Sequence, residues 1–258
     1  MESLEGKRIV VTGTARGIGA AVLHAFVWAG ARVAGIDRDV ERGEAVALAA
    51  SERGPGAAWF HAADVGDRAA VEAAFAAADG VLGRLDALVH AAGIERRCAA
   101  ERISDAEWDE MLAVNARGTM LTNQAAFARL RDVGGSIVNF GSDSGLVPHL
   151  NGAHYSAAKA AVMAWTRTVA HEWGRYGIRV NSVLPAIHTP MYDEYLGRLP
   201  EDELVQHREK MRLRIPLGGR LGDAQRDLAP VLAFLVSDAS HFVTGQLIPV
   251  DGGKVSVR

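Results

Sequence analysis

Short apolar runs that alternate with longer helical patterns constrain this chain more than any other feature of its sequence. Runs such as Ile9-Val10-Val11 and Leu88-Val89 lack polar alternation, which is typical of strands covered on both faces. The alternation of strand and helix predicts right-handed crossovers and a parallel sheet with helices on both faces. The predicted strands span residues 8–11, 32–36, 57–61, 87–90, 136–140, 179–184 and 246–250. The predicted helices span residues 18–29, 40–52, 68–82, 104–115, 116–131, 153–173 and 228–236.

The alternation continues to the end of the chain, so we expect one α/β domain over residues 1–258, a doubly wound, Rossmann-like sheet. The segment 185–222 holds four prolines and many charges, which predicts an irregular, mobile substrate flap. A formal net charge of −3 favours no nucleic-acid surface. No signal peptide or membrane-length apolar run is visible, and we expect a cytoplasmic protein. Nine histidines form no metal-binding spacing, so no metal is expected.

Glycines cluster at Gly13, Gly17 and Gly19, between the first predicted strand and the first predicted helix. Glycine permits a tight turn and a close backbone approach, and a helix N-terminus offers free N–H groups to a phosphate. The position after the first strand therefore favours a dinucleotide site over a tight turn without a ligand. The pair Asp64-Val65, after the third strand, is a candidate contact for the adenine ring.

Asp37 ends the second predicted strand, where an acid accepts hydrogen bonds from the ribose hydroxyls of a dinucleotide. Its carboxylate repels a 2′-phosphate, which favours NAD over NADP. Arg16 and Arg38 argue the other way, because either can pair with that phosphate. An ordinary helix N-cap is the alternative role for Asp37.

Tyr155 and Lys159 are four residues apart on a predicted helix and share one face. An ammonium beside the phenol is expected to lower the tyrosine pKa from its usual value and to make Tyr155 a proton shuttle near neutral pH. Ser142, just after the fifth strand, is placed to hold a substrate oxygen. Asn115 is a candidate for ordering a water that relays protons to Lys159.

These pieces together resemble the short-chain dehydrogenase/reductase family over essentially the whole chain. The resemblance rests on Thr12-Gly13, Gly17, Gly19, Asp64, Ala91-Ala92-Gly93, Asn115, Ser142, Tyr155, Lys159, Asn181 and Val250-Asp251-Gly252-Gly253. It implies a seven-stranded parallel sheet, a dimer or homotetramer, and a catalytic tetrad of Asn115, Ser142, Tyr155 and Lys159. It also implies that Lys159 binds the nicotinamide ribose and that Thr189 holds the carboxamide.

The complete set of predicted cofactor contacts is Gly13, Arg16, Gly17, Ile18, Gly19, Asp37, Arg38, Asp64, Val65, Ala92, Gly93, Tyr155, Lys159, Pro185, Ile187 and Thr189. Two positions depart from the family pattern. His90 stands where the family usually carries asparagine, and the loop from Pro185 to Thr189 is one residue short and lacks its glycine.

The predicted substrate contacts are Ser142, Ser144, His149, Tyr155, Ala186, His188, Met191 and Tyr192, in a pocket that also includes Glu95, Asp143, Leu150, Ile94 and Tyr195. The acids and histidines indicate a hydroxylated substrate, whereas the apolar and tyrosine side chains suit a cyclic alcohol or steroid equally well. We therefore expect an NAD-dependent enzyme that interconverts a small-molecule alcohol and a ketone. The alternatives are an NADPH-dependent ketoreductase and a non-catalytic nucleotide-sensing module.

One face of the helix that carries Tyr155 presents only small side chains, namely Ala157, Ala160, Ala161 and Ala164. Small residues allow close approach of a second helix, although alanine is also simply a good helix former. We expect this face to form an interface in a homo-oligomer unless the chain itself covers it.

Overall fold

The structure is a computed structural model, and it describes residues 1–256 apart from the side chain of Met191. Seven parallel strands form one sheet in the order β3-β2-β1-β4-β5-β6-β7. The strands are β1 Arg8–Thr12, β2 Arg32–Asp37, β3 Ala57–Ala62, β4 Ala87–His90, β5 Gly135–Phe140, β6 Ile178–Pro185 and β7 Leu247–Val250. The predicted doubly wound α/β sheet is thereby confirmed, with strand ends that differ by only one or two residues.

Helices cover both faces of the sheet. They are α1 Gly17–Trp28, α2 Val40–Arg53, α3 Arg68–Leu82, α4 Asp105–Leu112, α5 Gly118–Leu130, α6 Ala153–Trp173, α7 Pro190–Leu196, α8 Glu201–Arg214 and α9 Ala229–Val236. None of the helices in residues 1–256 combines the length and apolarity that a membrane crossing requires.

Two buried apolar clusters hold the helices to the sheet, one on each face. Along β1, Ile9 and Val11 belong to the cluster under α1 and α9, whereas Val10 belongs to the cluster under α3, α5 and α6. Successive strand residues point to opposite faces, so both sets of positions must be apolar in a covered strand. This arrangement explains the uninterrupted apolar runs in the sequence.

Two helical predictions were wrong in their detail. Residues 104–131 were predicted as two adjoining helices, but a π-helical turn at Ala113–Arg117 separates α4 from α5. The segment 185–222 was predicted to be irregular, but it contains α7 and α8. Two of its four prolines begin helices rather than interrupt them, because Pro190 opens α7 and Pro200 is the N-cap of α8.

Candidate active site

The predicted site residues converge on the carboxyl edge of the sheet, where the strand order reverses. The first strand lies between β2 and β4, so the connections that follow β1 and β4 leave the sheet toward opposite faces. Ligands of open parallel sheets bind in the crevice that forms at such a reversal. The turn after β1 and the turn after β4 line this crevice.

The glycine turn after β1 packs closely on the turn after β4. Gly13 has a φ of +75°, and a side chain there would place its Cβ 2.8 Å from the backbone of Ala92. The Ala92 amide donates to the Thr12 hydroxyl at 3.1 Å. A Cβ on Gly19 would overlap the Gly13 carbonyl, so the first turn of α1 needs glycine as well. These contacts explain why glycine stands at positions 13 and 19.

The start of α1 offers groups that fit a dinucleotide phosphate. Arg16 is the N-cap but makes no side-chain capping bond, so no side chain caps the first amides of the helix. Beside Gly17 there is open space where a Cβ would stand. The buried Thr14 hydroxyl has no partner within the described residues. An anion at this terminus would accept hydrogen bonds from these amides and this hydroxyl, and the helix dipole would favour its binding.

Asp37 is fixed at the end of β2, next to this turn. One of its carboxylate oxygens accepts from the Ala15 amide at 3.0 Å, and the other accepts from the Asp39 amide at 3.0 Å. The N-cap of α2 is Asp39, which accepts from Arg42, so the N-cap alternative for Asp37 was wrong. Arg16 and Arg38 are both exposed. Asp64 accepts from the Gly66 amide, and Val65 is buried against Gly118.

Ser142, Tyr155 and Lys159 are brought together above β5. The buried Lys159 ammonium donates to the Phe140 carbonyl at 2.9 Å and lies 5.7 Å from the centre of the Tyr155 ring. The Ser142 hydroxyl accepts from the Ser144 amide at 3.1 Å and contacts Asp143 at 3.3 Å. The predicted helix over residues 153–173 is confirmed at both ends, and its spacing places Tyr155 and Lys159 on one face.

The pKa of Tyr155 departs from its usual value in the direction opposite to the one expected from the sequence. Burial raises it strongly and the Glu95 carboxylate adds to this, whereas a hydrogen bond with Ser142 lowers it. Burial also lowers the pKa of Lys159 to about 8, against an opposing effect of Glu95. Spacing along a helix reveals the neighbouring ammonium but not the loss of solvent, and here the loss of solvent is the larger effect.

Asn115 lies in the π-helical turn, which directs its amide toward the turn after β4. Its Nδ2 donates to the Ile94 carbonyl at 2.9 Å, and its Oδ1 accepts from the Ile94 amide at 3.2 Å. A Cβ on Gly93 would lie 2.8 Å from this Oδ1 and 3.5 Å from the Lys159 nitrogen. Asn115, Gly93 and Lys159 are therefore close neighbours. Single-turn π-helices in longer helices are frequent at functional sites.

His90, the departure at the end of β4, is buried below these residues. Its Nδ1 bonds the hydroxyls of Thr12 at 2.9 Å and Thr122 at 3.0 Å. Its Nε2 has no partner within residues 1–256. Burial and, to a smaller extent, the charge of Lys159 lower the pKa of His90 to about 3. The ring is therefore neutral and joins β1, β4 and α5 directly beneath the crevice.

The predicted substrate residues fall into two groups. His149 lies beside Tyr155, with ring centres 6.1 Å apart, and Ser144 is held through Ser142. His188 and Tyr192 instead contact each other, and they bind Asp193 and His207 respectively. Met191 was also predicted, but its side chain lies outside the described residues.

The segment after β6 is anchored by backbone pairing. Ala186 and Ile187 are buried, and Ile187 forms a parallel bridge with Gly222. Thr189 is the N-cap of α7 and accepts from the Tyr192 amide at 3.3 Å. This short loop therefore obtains its order from Gly222, a partner that local sequence does not reveal.

Two cations near Tyr155 were not identified from the sequence. Lys254 lies 2.7 Å from Asp143, and the Arg97 Nε lies 3.6 Å from Glu95. Burial raises the pKa of Glu95, but the hydrogen bond from His149 and the charges of His149 and Arg97 outweigh burial and lower the pKa. Lys254 follows directly after the Asp251-Gly252-Gly253 motif, and that position was the only sequence signal for it.

Comparisons with known proteins agree with this fold. The family model described as enoyl-(acyl carrier protein) reductase matches residues 13–254. The D-threitol dehydrogenase of Mycolicibacterium smegmatis is 37% identical over 97% of this chain and 93% of that protein. The inactive 2-(S)-hydroxypropyl-CoM dehydrogenase 2 of Xanthobacter autotrophicus is 43% identical over 91% of this chain and 99% of that protein. A short-chain type dehydrogenase/reductase from Mycobacterium ulcerans superposes with a TM-score of 0.90 at 30% identity, over 98% of this chain and 91% of that one.

Proposed function

The chain belongs to the short-chain dehydrogenase/reductase family, and its relatives include proteins named as dehydrogenases of hydroxyl compounds; we propose that it interconverts a secondary alcohol and a ketone with NAD(H). The observation that carries this proposal is the grouping of Tyr155, Lys159 and Ser142 at the edge where the strand order reverses.

The bound nucleotide would supply or accept the hydride. The glycine turn and the start of α1 would hold its pyrophosphate, and Asp37 its adenosine ribose. Tyr155 exchanges a proton with the substrate oxygen, and Ser142 binds that same oxygen. With its raised pKa, Tyr155 carries a proton at neutral pH and is set to donate it to a ketone oxygen. Lys159 favours the phenolate that remains.

Replacement of Tyr155 by phenylalanine tests this function. We expect Tyr155→Phe to lower turnover of an accepted alcohol or ketone by about 10²–10⁴-fold, because the proton donor is lost. The affinity for the nucleotide should stay near that of the wild type, because the pyrophosphate and ribose contacts are untouched. Undiminished turnover in this variant would contradict the proposed role. Binding of nucleotide without turnover in the wild type would favour the nucleotide-sensing alternative, which the inactive relative also brings to mind.

The preference for NAD is proposed from Asp37, which the Ala15 and Asp39 amides fix at the end of β2, next to the glycine turn. Calorimetric titration with NADH and NADPH should give at least about tenfold tighter binding of NADH, or about 1.4 kcal/mol. Asp37→Ala should reduce that ratio, whereas the exposed Asp132→Ala should not change it. Tighter binding of NADPH would instead support the ketoreductase alternative, with Arg16 and Arg38 as the phosphate ligands.

We also propose assembly through the small-residue face of α6. Ala161 and Ala164 are exposed, so the chain itself does not cover this part of the face. Ala161→Glu should elute later than the wild type in gel filtration, because a buried unpaired charge opposes helix–helix contact. An unchanged elution volume would count against this interface. The homotetramer and the cytoplasmic location stay predictions.

A further inference from the structure

We propose that two polar pairs beside Tyr155, the hydrogen-bonded pair Glu95–His149 and the ion pair Asp143–Lys254, form a hydroxyl-recognition site, so that the substrate is a neutral polyol with a second hydroxyl beside the reacting one. This inference rests on the proposed function, because it assigns the substrate class of the same site. It also decides between the two substrate classes that the sequence left open, the hydroxylated and the apolar.

The first pair lies against the ring of Tyr155. His149 Nε2 is 3.0 Å from Glu95 Oε1, and the His149 ring centre is 6.1 Å from that of Tyr155. Arg97 reaches the same Oε1 atom at 3.6 Å, and its guanidinium also lies 4.7 Å from the centre of the Tyr195 ring. Within the described residues, no donor is placed on Glu95 Oε2. That oxygen is thus free to accept a hydrogen bond from a ligand.

The second pair lies beside Ser142. Lys254 is 2.7 Å from Asp143 Oδ2, and both side chains are only 18% exposed. The other Asp143 oxygen contacts the Ser142 hydroxyl at 3.3 Å. The turn that carries Lys254 is itself fixed, because Asp251 accepts from the Gly253 and Val255 amides. The pair is therefore a built part of the crevice and not a contact of mobile surface side chains.

The charges of these pairs exclude two classes of substrate. A steroid-like substrate would remove water from two carboxylates and their partners without replacing the lost hydrogen bonds, which is unfavourable. An anionic substrate would bring its charge toward Glu95 and Asp143, both close enough to raise the pKa of Tyr155.

A hydroxyl group satisfies this environment because it both donates and accepts a hydrogen bond. When the reacting oxygen is bound by Tyr155 and Ser142, we expect a hydroxyl on the adjacent carbon to lie near His149 and Glu95, which are beside the Tyr155 ring, or near Asp143, which contacts Ser142. It can donate to a carboxylate and accept from the partner of that carboxylate. The pairs Glu95–His149 and Asp143–Lys254 can form further hydrogen bonds with a ligand. They therefore favour a substrate with neighbouring hydroxyls over a simple alcohol.

The test compares 2,3-butanediol with 2-butanol, which differ in one hydroxyl, and adds a four-carbon tetritol. The wild type should show kcat/KM at least about 100-fold higher for the diol, because a site built for a hydroxyl rejects the analogue that lacks it. Glu95→Leu should lower this ratio by at least about tenfold, mainly through KM for the diol. Glu95→Gln, which keeps an acceptor oxygen, should recover part of the ratio. Glu52→Leu, at an exposed position on α2, is the matched control and should leave the ratio unchanged.

A diol-to-monool ratio near one in the wild type, or an equal ratio in Glu95→Leu, would overturn the hydroxyl site. If Glu95→Leu fails to fold, as judged by its melting temperature and its nucleotide affinity, His149→Phe provides the same comparison from the other partner. Alcohol oxidation that needs Tyr155 but ignores the second hydroxyl would overturn the hydroxyl site and leave the proposed function standing. Absence of alcohol oxidation with both NAD and NADP would show that the proposed function itself is wrong.

Discussion

Buried titratable groups at the two edges of the sheet differ in whether their surroundings favour the charged form: those of Asp86 do, and those of Lys159 and His90 do not. At the amino edge, Asp86 binds Arg8 and Arg84, each at 2.7 Å. Burial raises the pKa of Asp86, but the bonds with the two arginines outweigh it and the pKa falls below its usual value. At the carboxyl edge, the pKa of Lys159 and that of His90 are lowered by burial, which disfavours the charged form of each. The surroundings of Asp86 therefore stabilise its ionised form, whereas those of Lys159 and His90 disfavour theirs.

This difference distinguishes a charged side chain that joins strands of the sheet from one that is placed for chemistry. Asp86 joins the starts of β1, β4 and β5, because its carboxylate accepts from the Arg8 amide and its carbonyl accepts from the Ser136 amide. Lys159 has no carboxylate partner among the described ion pairs and donates to a neutral carbonyl. A buried group held without full compensation at the edge where ligands bind is a marker of function. The predictions below test each side of this contrast.

Lys159→Met should produce the largest effect and should act on turnover and stability with opposite signs. Turnover should fall by about 10²–10⁴-fold, because the ammonium that favours the phenolate is lost. Stability at pH 7 should rise by about 2–3 kcal/mol, because the folded pKa of about 8 lies below the ordinary 10.5. The folded state carries this penalty fully below pH 8 and loses it as pH rises toward the unfolded value. Urea denaturation at pH 7 and at pH 10 measures this stability penalty and its loss.

The control for this variant is Lys210→Met, at an exposed position on α8, which should change stability by no more than a few tenths of a kcal/mol. A loss of stability in Lys159→Met would show that the ammonium is well compensated in the folded protein. Lys159 would then be stabilised in its charged form, as Asp86 is, and the two edges would not differ in this respect.

His90→Asn should remove an acid sensitivity that the wild type possesses. The folded pKa of about 3 lies below the ordinary 6.5, so the unfolded chain binds a proton that the folded protein excludes. The contribution to stability is complete above pH 6.5 and falls by about 2 kcal/mol between pH 6.5 and pH 5. The variant should lose correspondingly less over this range in urea denaturation. His241→Asn, at an exposed turn, serves as control, and parallel pH profiles for wild type and His90→Asn would contradict the prediction.

The sequence was sufficient to predict the sheet and the helix that carries Tyr155 and Lys159. Strands buried on both faces must be apolar throughout, and α6 carries its functional pair at helical spacing, so both were recognisable. The glycines at 13 and 19 are required by backbone contacts that any nucleotide-binding turn of this type would make. In these regions the local pattern and the tertiary structure impose the same requirement.

The polar half of the site was less accessible to sequence reasoning. Glu95 and His149 are 54 residues apart in the sequence, and Lys254 reaches Asp143 from a turn near the C-terminus. The helix α8 has no buried residue, so it lacks the apolar stripe by which helices are recognised. Acidic residues in its first turn and arginines in its last turn are typical of a helix and were visible in the sequence. The four prolines of this segment nevertheless led to the prediction of an irregular structure. Charge pairing between distant segments is decided by the fold and cannot be deduced from spacing.

Asp86→Asn should give the smallest effect and should sharpen the comparison from the amino edge. The variant keeps an acceptor for the Arg8 amide but loses the charge between two arginines, so we expect a loss of about 1 kcal/mol at pH 7, since the site is only partly shielded from solvent. Because the folded pKa is lowered, this contribution is present above the ordinary value of 3.8 and disappears as pH falls below it. Asp132→Asn, whose carboxylate is 80% exposed beside Arg131, is the matched control and should be nearly neutral in urea denaturation. Equal stability of both variants would show that the backbone hydrogen bonds of Asp86, rather than its charge, join β1, β4 and β5 at the amino edge.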